Sequence, residues 1–167
     1  MTLASVFVRR AGPGDEMVLR ALRLEALSES PAAFASTLER EAARTIADWG
    51  GWFTSGVTLV LEEAGTARGL VAGVGDADHA AVVYLMAMWV HPALRGSGAA
   101  DVLVAEHLAW ARSVRAARVR LDVMADNVRA RRFYERHGYR ITGRQKIHDA
   151  DGRVELQMER TLLPEPS

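Results

Sequence analysis

The sequence has no cysteine, a single lysine and no long apolar run among its 167 residues. The absence of cysteine excludes disulfides, thiolate metal sites and a cysteine nucleophile. No apolar run approaches the length that a bilayer-spanning helix needs, so we expect no membrane association. Residues 1–10 also lack the basic-then-apolar pattern of a secretory signal peptide. These absences predict a cytoplasmic protein.

The chain also has no net charge at pH 7, because its 21 basic and 21 acidic side chains balance. A chain with zero net charge lacks the electrostatic footprint of a nucleic-acid-binding protein, so no nucleic-acid partner is expected. The five histidines are scattered, with no closely spaced pair beside a carboxylate, and we therefore expect no metal site. The chain length and the globular composition predict one domain over residues 1–167.

Hydrophobic periodicity predicts strands and helices that follow one another along the chain. The predicted strands cover residues 5–9, 57–61, 68–75, 80–90, 119–123, 139–147 and 154–162. The predicted helices cover residues 16–29, 32–44, 45–55, 98–115 and 127–137. Gly138 is well placed to end the last helix in the left-handed conformation, and residues 164–167 are expected to fray. This order indicates a mixed α/β sheet with helices on its faces.

The segment 88–100 joins a buried strand to a helix through a tight loop that contains Gly96 and Gly98. Backbone N–H groups at a helix start have no intrahelical partner and lie at the positive end of the helix dipole, so they bind phosphate without a lysine or a metal. The two glycines allow a ligand to approach closely, and Arg95 can pair with a phosphate oxygen. Taken alone, such a loop is equally consistent with a plain turn.

Two common nucleotide-binding motifs do not fit this loop. A P-loop requires Gly-Lys-Ser/Thr at the helix start, whereas the sequence here is Gly98-Ala99-Ala100. A dinucleotide-binding motif requires a third glycine at the position that Asp101 occupies. The loop therefore matches neither of these two nucleotide-binding motifs.

Two motifs stand in order in the second half of the chain. The first reads Arg95-x-x-Gly98-x-Ala100, after a strand that ends in Val90-His91-Pro92. The second, about thirty residues later, reads Asn127…Phe133-Tyr134…Gly138-Tyr139. Together they resemble the pyrophosphate-binding signature and the following helix of the GNAT superfamily of acetyl-CoA-dependent N-acyltransferases. The opening strand and helices and the closing hairpin match as well, so the resemblance spans nearly the whole chain.

The resemblance implies an α/β (α+β) GNAT fold. Its mixed, mostly antiparallel sheet of about seven strands has a splayed central strand and is flanked by about four helices. It also implies that acetyl-CoA is the co-substrate and that an amine attacks its thioester directly, which agrees with the lack of cysteine. Homodimers are frequent in this family.

The resemblance also implies which residues hold acetyl-CoA. Loop N–H groups would bind the pyrophosphate, and backbone groups of the central strand would pair with the pantetheine as an added half-strand does. The expected loop residues are Arg95, Gly96, Ser97, Gly98, Ala99 and Ala100. The expected strand residues are Met88, Trp89 and Val90. Arg131 or Arg132 is expected to reach the adenosine 3′-phosphate.

Asn127 and Tyr134 are two helical turns apart and therefore share one helix face. By resemblance, Asn127 binds the pantetheine and Tyr134 is the catalytic residue that gives its phenolic proton to the leaving thiolate. The residues alone also allow Asn127 to be an N-cap and Tyr134 to be a core aromatic. These roles can coexist.

The general base is the point where the sequence departs from the family. The glutamate that many members carry on the central strand falls at Met86, which cannot accept a proton. One alternative is a water chain ordered by Tyr84 or by backbone carbonyls, and another is an acceptor amine that arrives neutral. The third is a side chain from elsewhere in the sequence, and the candidates are Glu25, Glu29 and His148.

In the family, the first two helices and the last hairpin flank the acceptor. Residues 24–40 and 147–155 are the corresponding segments here. The substrate-binding candidates are Glu29, Phe34 and Tyr84. A small-molecule or peptide amine is the expected acceptor.

Two other functions fit the same motifs. Met86 at the carboxylate position favours a non-catalytic acyl-CoA-binding sensor module of the same fold, whereas the retained Tyr134 opposes it. A transferase for longer acyl chains or for a non-amine acceptor is the other alternative. Our principal prediction is an N-acetyltransferase that acts on a primary amine.

Overall fold

The computed structural model describes residues 5–162, which form one seven-stranded sheet with helices on both faces. The strands are β1 Val6–Arg10, β2 Gly56–Glu63, β3 Thr66–Gly75, β4 Val82–Val90, β5 Arg118–Met124, β6 Arg140–Ile147 and β7 Val154–Thr161. Their order in the sheet is β1-β2-β3-β4-β5-β7-β6, and β4 and β5 form its one parallel pair. The predicted fold class is confirmed. The predicted frayed tail lies outside the described residues.

Five α-helices cover the two faces of this sheet. They are α1 Glu16–Glu29, α2 Leu38–Ala42, α3 Ile46–Gly50, α4 Ala99–Ser113 and α5 Val128–Arg136. Short 3-10 turns occupy Pro31–Ala33, Gly51–Phe53 and Pro92–Leu94. Gly138 follows α5 with φ +87°, the left-handed conformation predicted for it. No helix within residues 5–162 has the length and apolar character to cross a membrane.

The single helix predicted over residues 32–44 is wrong in its first half. After the 3-10 turn that Pro31 begins, Phe34 is extended, with φ −123° and ψ 147°. Helix α2 begins only after Thr37, whose side chain accepts a hydrogen bond from the Arg40 N–H. A threonine that satisfies a helix-start N–H favours a new helix at that point over continuation through it. The alanine-rich composition therefore did not decide the local structure.

The central strand β4 separates from β5 after three residue pairs, Val82–Arg118, Val83–Val119 and Tyr84–Arg120. Ala87 then adopts a left-handed φ of +55°, and the register with β3 shifts between Leu70 and Ala72. This is a β-bulge, which bends a strand and ends its regular pairing. The bulge produces the splayed central strand that the family resemblance implied.

Two buried clusters fill the two faces of the sheet. On the side that we call the α4 face, α4 and α5 cover a cluster that includes Leu61, Val71, Leu103, Leu121, Tyr134 and Tyr139. On the opposite α1 face, α1 and α3 cover Leu19, Leu22, Trp49, Val60, Leu70 and Trp89. Strand β4 contributes to both clusters and so connects the two halves of the molecule.

His107 is the fully buried polar residue of α4. Its Nε2 donates to the backbone carbonyl of Tyr84 at 3.2 Å, and its Nδ1 has no partner within residues 5–162. Gly73 allows this packing, because a Cβ there would lie 2.4 Å from the half-buried Trp110 ring and 2.9 Å from His107 Nε2. Burial lowers the pKa of His107 to about 4.

This burial predicts a pH-dependent stability. In the unfolded chain His107 has the ordinary pKa of 6.5, so as the pH falls below that value the unfolded state binds the proton before the folded state does. The free energy of unfolding should therefore fall by up to about 3 kcal/mol between about pH 7 and pH 4 on account of this residue. Urea unfolding across that range should show a weaker pH dependence in His107→Gln. The exposed His79→Gln is the control, and an unchanged slope in His107→Gln would contradict the assignment.

Candidate active site

A cleft of about 1000 Å³ opens where β4 and β5 diverge. It extends from the segment after α1, past the end of β4 and the start of α4, to α5. The predicted site residues that line it are Phe34, Met88, Trp89, Val90, Arg95, Gly96, Gly98, Ala100, Asn127 and Tyr134. Ser97, Ala99, Glu29 and Tyr84 do not line this cleft. Residues from both predicted motifs are therefore brought together at one cavity.

The loop before α4 presents free backbone donors to the cleft. Gly96 and Gly98 have φ of +76° and +89°, a conformation that glycine adopts without strain. The N–H groups of Gly96, Gly98 and Ala100 have no hydrogen-bond acceptor within residues 5–162, although all three residues line the cleft. Ser97 instead turns inward, where its hydroxyl donates to the Leu94 carbonyl. Three free donors at a helix N-terminus form an anion-binding cradle.

Arginines of α5 make the adjoining wall of the cleft basic. Arg129, Arg132 and Arg136 line the cavity, whereas Arg131 donates to the backbone carbonyl of Ala125 at 3.0 Å. Of the two arginines predicted to reach a phosphate, Arg132 therefore faces the cleft. The carboxylate of Asp101 lies 3.0 Å from Arg136, so part of this positive charge is already paired.

Tyr134 and Asn127 each combine a structural contact with a place in the cleft. The Tyr134 ring is 8% exposed and packs edge-on against Phe133 and Tyr139, with centroids 5.3 Å and 5.7 Å away. Burial raises the pKa of Tyr134 above its ordinary value, so the phenol keeps its proton. The Asn127 side chain caps α5 by accepting a hydrogen bond from the Ala130 N–H at 3.2 Å.

Glu29 connects helix α1 to the loop before α4. It is the last residue of α1, and it accepts two hydrogen bonds from Arg95, at 2.9 Å and 2.6 Å, and one from Trp89 Nε1 at 3.0 Å. Chiefly because of Arg95, the pKa of Glu29 falls to about 2. A carboxylate with so low a pKa is a poor proton acceptor at neutral pH. No local sequence pattern indicates this contact, which joins residues 66 apart.

Phe34 forms the cleft wall at the end nearest to α1. The guanidinium of Arg23 lies over its ring at 4.7 Å, and Arg153 donates to its backbone carbonyl at 3.2 Å. Arg23 itself is 7% exposed and lies 3.9 Å from the buried Glu41. The ring is therefore held in place by α1 and by the turn between β6 and β7.

The other side chains considered as bases have partners of their own. Glu25 lies 3.5 Å from His91, whose Nδ1 caps the turn after β4 by accepting the Ala93 N–H. His148 lies 3.0 Å from Glu155. Within residues 5–162, no three His, Asp or Glu side chains come together as a set of metal ligands.

Comparison with known proteins identifies the family of this arrangement. The profile described as "Acetyltransferase (GNAT) family" matches residues 21–139, which is more than half of the chain. The chain belongs to the GNAT acetyltransferase family. A comparison with curated proteins finds no match.

Solved structures share the fold at low sequence identity. A GNAT-family acetyltransferase of Streptococcus pneumoniae is 18% identical with a TM-score of 0.80, over 95% of this chain and 100% of that one. An acetyltransferase-like protein of Salmonella typhimurium, solved with its cofactor acetyl-CoA, is 17% identical with a TM-score of 0.79, over 98% and 97%. A ribosomal-protein-alanine N-acetyltransferase of Brucella melitensis is 20% identical with a TM-score of 0.77, over 93% and 99%. The predicted co-substrate, acetyl-CoA, agrees with the family.

The Glu29–Arg95 contact predicts a competition within this GNAT chain. A phosphate that approaches Arg95 competes with the Glu29 carboxylate for the guanidinium charge, so Glu29→Gln should strengthen acetyl-CoA binding. Because an exposed ion pair contributes at most about 1 kcal/mol, we expect a gain of up to about fivefold in affinity. Titration calorimetry with acetyl-CoA measures this gain in affinity, and Glu25→Gln is the neighbouring control. Equal or weaker binding by Glu29→Gln would show that Arg95 does not contact the phosphates.

Proposed function

We propose that this protein is an N-acetyltransferase that moves the acetyl group of acetyl-CoA to a primary amine by direct attack. The observation that carries the proposal is the cradle of free N–H groups at Gly96, Gly98 and Ala100, set at the mouth of the gap beside β4. We assign the pyrophosphate of acetyl-CoA to this cradle. We further propose a cytoplasmic protein whose catalytic domain spans residues 1–167.

The free edge of β4 supports the proposed path of the pantetheine arm. Pairing with β5 ends at Tyr84, so no strand within residues 5–162 lies beside Met88, Trp89 and Val90 on that side, and these three residues line the cleft. An extended amide-bearing arm can add to such an edge by main-chain hydrogen bonds. A strand N–H beside the thioester would also stabilise the oxyanion of the tetrahedral intermediate. Arg132 is the candidate for the 3′-phosphate.

The proposed chemistry needs one proton acceptor and one proton donor. The amine nitrogen attacks the thioester carbon, the C–S bond breaks, and the amine loses one proton. Tyr134 is proposed to donate its phenolic proton to the departing thiolate, because a phenol keeps its proton at neutral pH until a strong acceptor such as a thiolate forms beside it. The transfer needs no covalent enzyme intermediate, in agreement with a chain that has no cysteine.

The acceptor is proposed to enter on the side of Phe34. The wall that this ring forms suits the apolar part of a small-molecule or peptide amine. The Brucella relative is named for acetylating an alanine of a ribosomal protein, which makes an alanine N-terminus a reasonable first acceptor to test.

A sensor that binds acyl-CoA without turnover is the second candidate function. The observation that favours it is Met86, which is 49% exposed at the position of the family's usual glutamate. The two functions differ in one measurable property, which is the release of free thiol from acetyl-CoA in the presence of an amine.

Titration calorimetry with acetyl-CoA tests the shared part of both proposals, with NADH and ATP as control ligands. Selective binding of acetyl-CoA supports the cradle assignment, and thiol release with an amine then distinguishes the enzyme from the sensor. A folded protein that fails to bind acetyl-CoA would refute both.

Replacement of Tyr134 by phenylalanine tests the role of the phenol. Only the leaving thiolate requires this proton, so Tyr134→Phe should lower kcat by about a hundredfold and change the Kd of acetyl-CoA by less than about twofold. The matched control is Tyr139→Phe, since Tyr139 packs against the same ring without lining the cleft. Equal losses of kcat in the two variants would reduce Tyr134 to a packing residue.

A further inference from the structure

We propose that His137, acting through Asp101, adjusts the charge at the phosphate end of the cleft and takes up a proton when acetyl-CoA binds. His137 is thus a positioning residue of the cofactor site, and neither sequence motif gives it a role. This role rests on the proposed placement of the pyrophosphate in the cradle of Gly96, Gly98 and Ala100.

A carboxylate lies inside the anion-binding end of the cleft. Asp101 belongs to the first turn of α4 and lines the cavity. Its Oδ2 lies 4.0 Å from the position that a Cβ on Gly98 would occupy, so its negative charge is beside the cradle. Asp101 repels a phosphate group bound there, and the repulsion grows when neighbouring cations compensate the carboxylate less.

Two side chains at the end of α5 hold this carboxylate. His137 Nε2 lies 2.6 Å from Asp101 Oδ1, and Arg136 donates to the same oxygen at 3.0 Å. Burial acts to raise the pKa of Asp101, but the hydrogen bonds from Arg136 and His137 together outweigh it and hold that pKa below its ordinary value. Asp101 therefore stays ionised at neutral pH. Histidine is the side chain that ordinarily changes charge between pH 5 and 8, so the imidazole is the part of this cluster that can switch.

The neutral and the protonated imidazole fit the same geometry. In both forms Nε2 carries a proton that it donates to Asp101, and the forms differ by the second proton on Nδ1. With the neutral imidazole, the charges of Asp101 and Arg136 cancel, whereas the imidazolium leaves one positive charge. Proton uptake by His137 therefore changes the charge beside the cradle without breaking a contact.

Charged groups of both signs surround His137. It caps the C-terminal end of α5, where the helix dipole favours a positive charge, and Asp101 favours one as well. Arg136 opposes it, and so does Arg160 of β7, whose guanidinium donates to the His137 carbonyl at 2.7 Å. Arg140 of β6 is a further cation here, because it donates to the backbone carbonyls two residues to either side of His137. An added phosphate group tips this opposition toward the protonated form.

Binding of acetyl-CoA brings that phosphate charge next to the cluster. The ionised pyrophosphate favours the imidazolium, so part of the His137 population gains a proton from solvent as the cofactor binds. The complex then holds more protons than the free protein. By linkage, the affinity for acetyl-CoA rises as the pH falls through the range in which histidine titrates.

Titration calorimetry measures the proton uptake directly. Acetyl-CoA is titrated into the protein near pH 7 in PIPES and in imidazole buffer, whose ionisation enthalpies differ. The difference in binding enthalpy should correspond to an uptake of about 0.3 to 0.5 proton in the wild type and much less in His137→Gln, whose amide can still donate to Asp101. The 3′-phosphate of the cofactor also titrates near this pH, and its contribution cancels in the difference between the two proteins.

The chain offers a matched control in His79→Gln. His79 also lies beside a carboxylate, 3.3 Å from Asp76, in a turn that does not line the cleft. Proton uptake in His79→Gln should equal that of the wild type.

The pH dependence of affinity separates this role from a merely structural one. Between about pH 8 and pH 6, the Kd of acetyl-CoA should fall about threefold further in the wild type than in His137→Gln. Asp101→Asn removes the repelling charge, so at about pH 8 it should bind acetyl-CoA about threefold more tightly than the wild type. A change of Kd by the same factor at every pH in His137→Gln would show that the imidazole only supports the structure.

Proton NMR of the imidazole C2–H signals tests the residue itself. The His137 signal, identified by its loss in His137→Gln, should titrate at a higher pH with saturating acetyl-CoA than without it. Equal proton uptake by the wild type and His137→Gln, or an unmoved His137 titration, would overturn the inference and leave acetyl-CoA binding and the transferase intact. A folded wild type that does not bind acetyl-CoA would overturn the cradle assignment, and this inference with it.

Discussion

The splitting of the one parallel strand pair is the constraint on which the rest of the structure depends. Strands β4 and β5 pair over three residues, and the bulge at Ala87 then turns β4 away. A continuous pair would fill the gap with its own hydrogen bonds and leave no strand edge for a ligand. The same bulge sends Trp89 to the α1 face and Val90 to the α4 face, so one strand anchors both clusters beside the cleft.

Charge on the two sides of this gap is arranged differently. At the end of the cleft beside α4 and α5, free N–H groups and the arginines of α5 offer positive potential, and Glu29 pairs with Arg95. At the other end, beside α1, Arg23 lies close to the buried Glu41 and the Phe34 ring forms an apolar wall. The positive potential at the α4 end suits acetyl-CoA, the anionic co-substrate of this family.

The sequence predicted the fold closely wherever structure depends on near neighbours. The 14-residue α1 begins and ends where its apolar spacing and the following proline indicated, and the strand–loop–helix unit around Gly96 and Gly98 forms as expected. The prediction was wrong in the first half of residues 32–44, where the alanine content favoured a helix. There the Thr37 cap and the stacking of Arg23 on Phe34 hold an extended segment, and such competition between local preference and tertiary contact is invisible in composition.

By itself the sequence determined the residues of the cradle and of the Asn127–Tyr134 helix, because each set lies within a short segment whose geometry follows from its own backbone. Only the tertiary structure decided that Glu29 pairs with Arg95 and that β4 separates from β5 after Tyr84. These relations join distant segments through strand register and helix packing. Register is set by the pairing of whole strands and by a single bulge, so no local pattern in the sequence contains it.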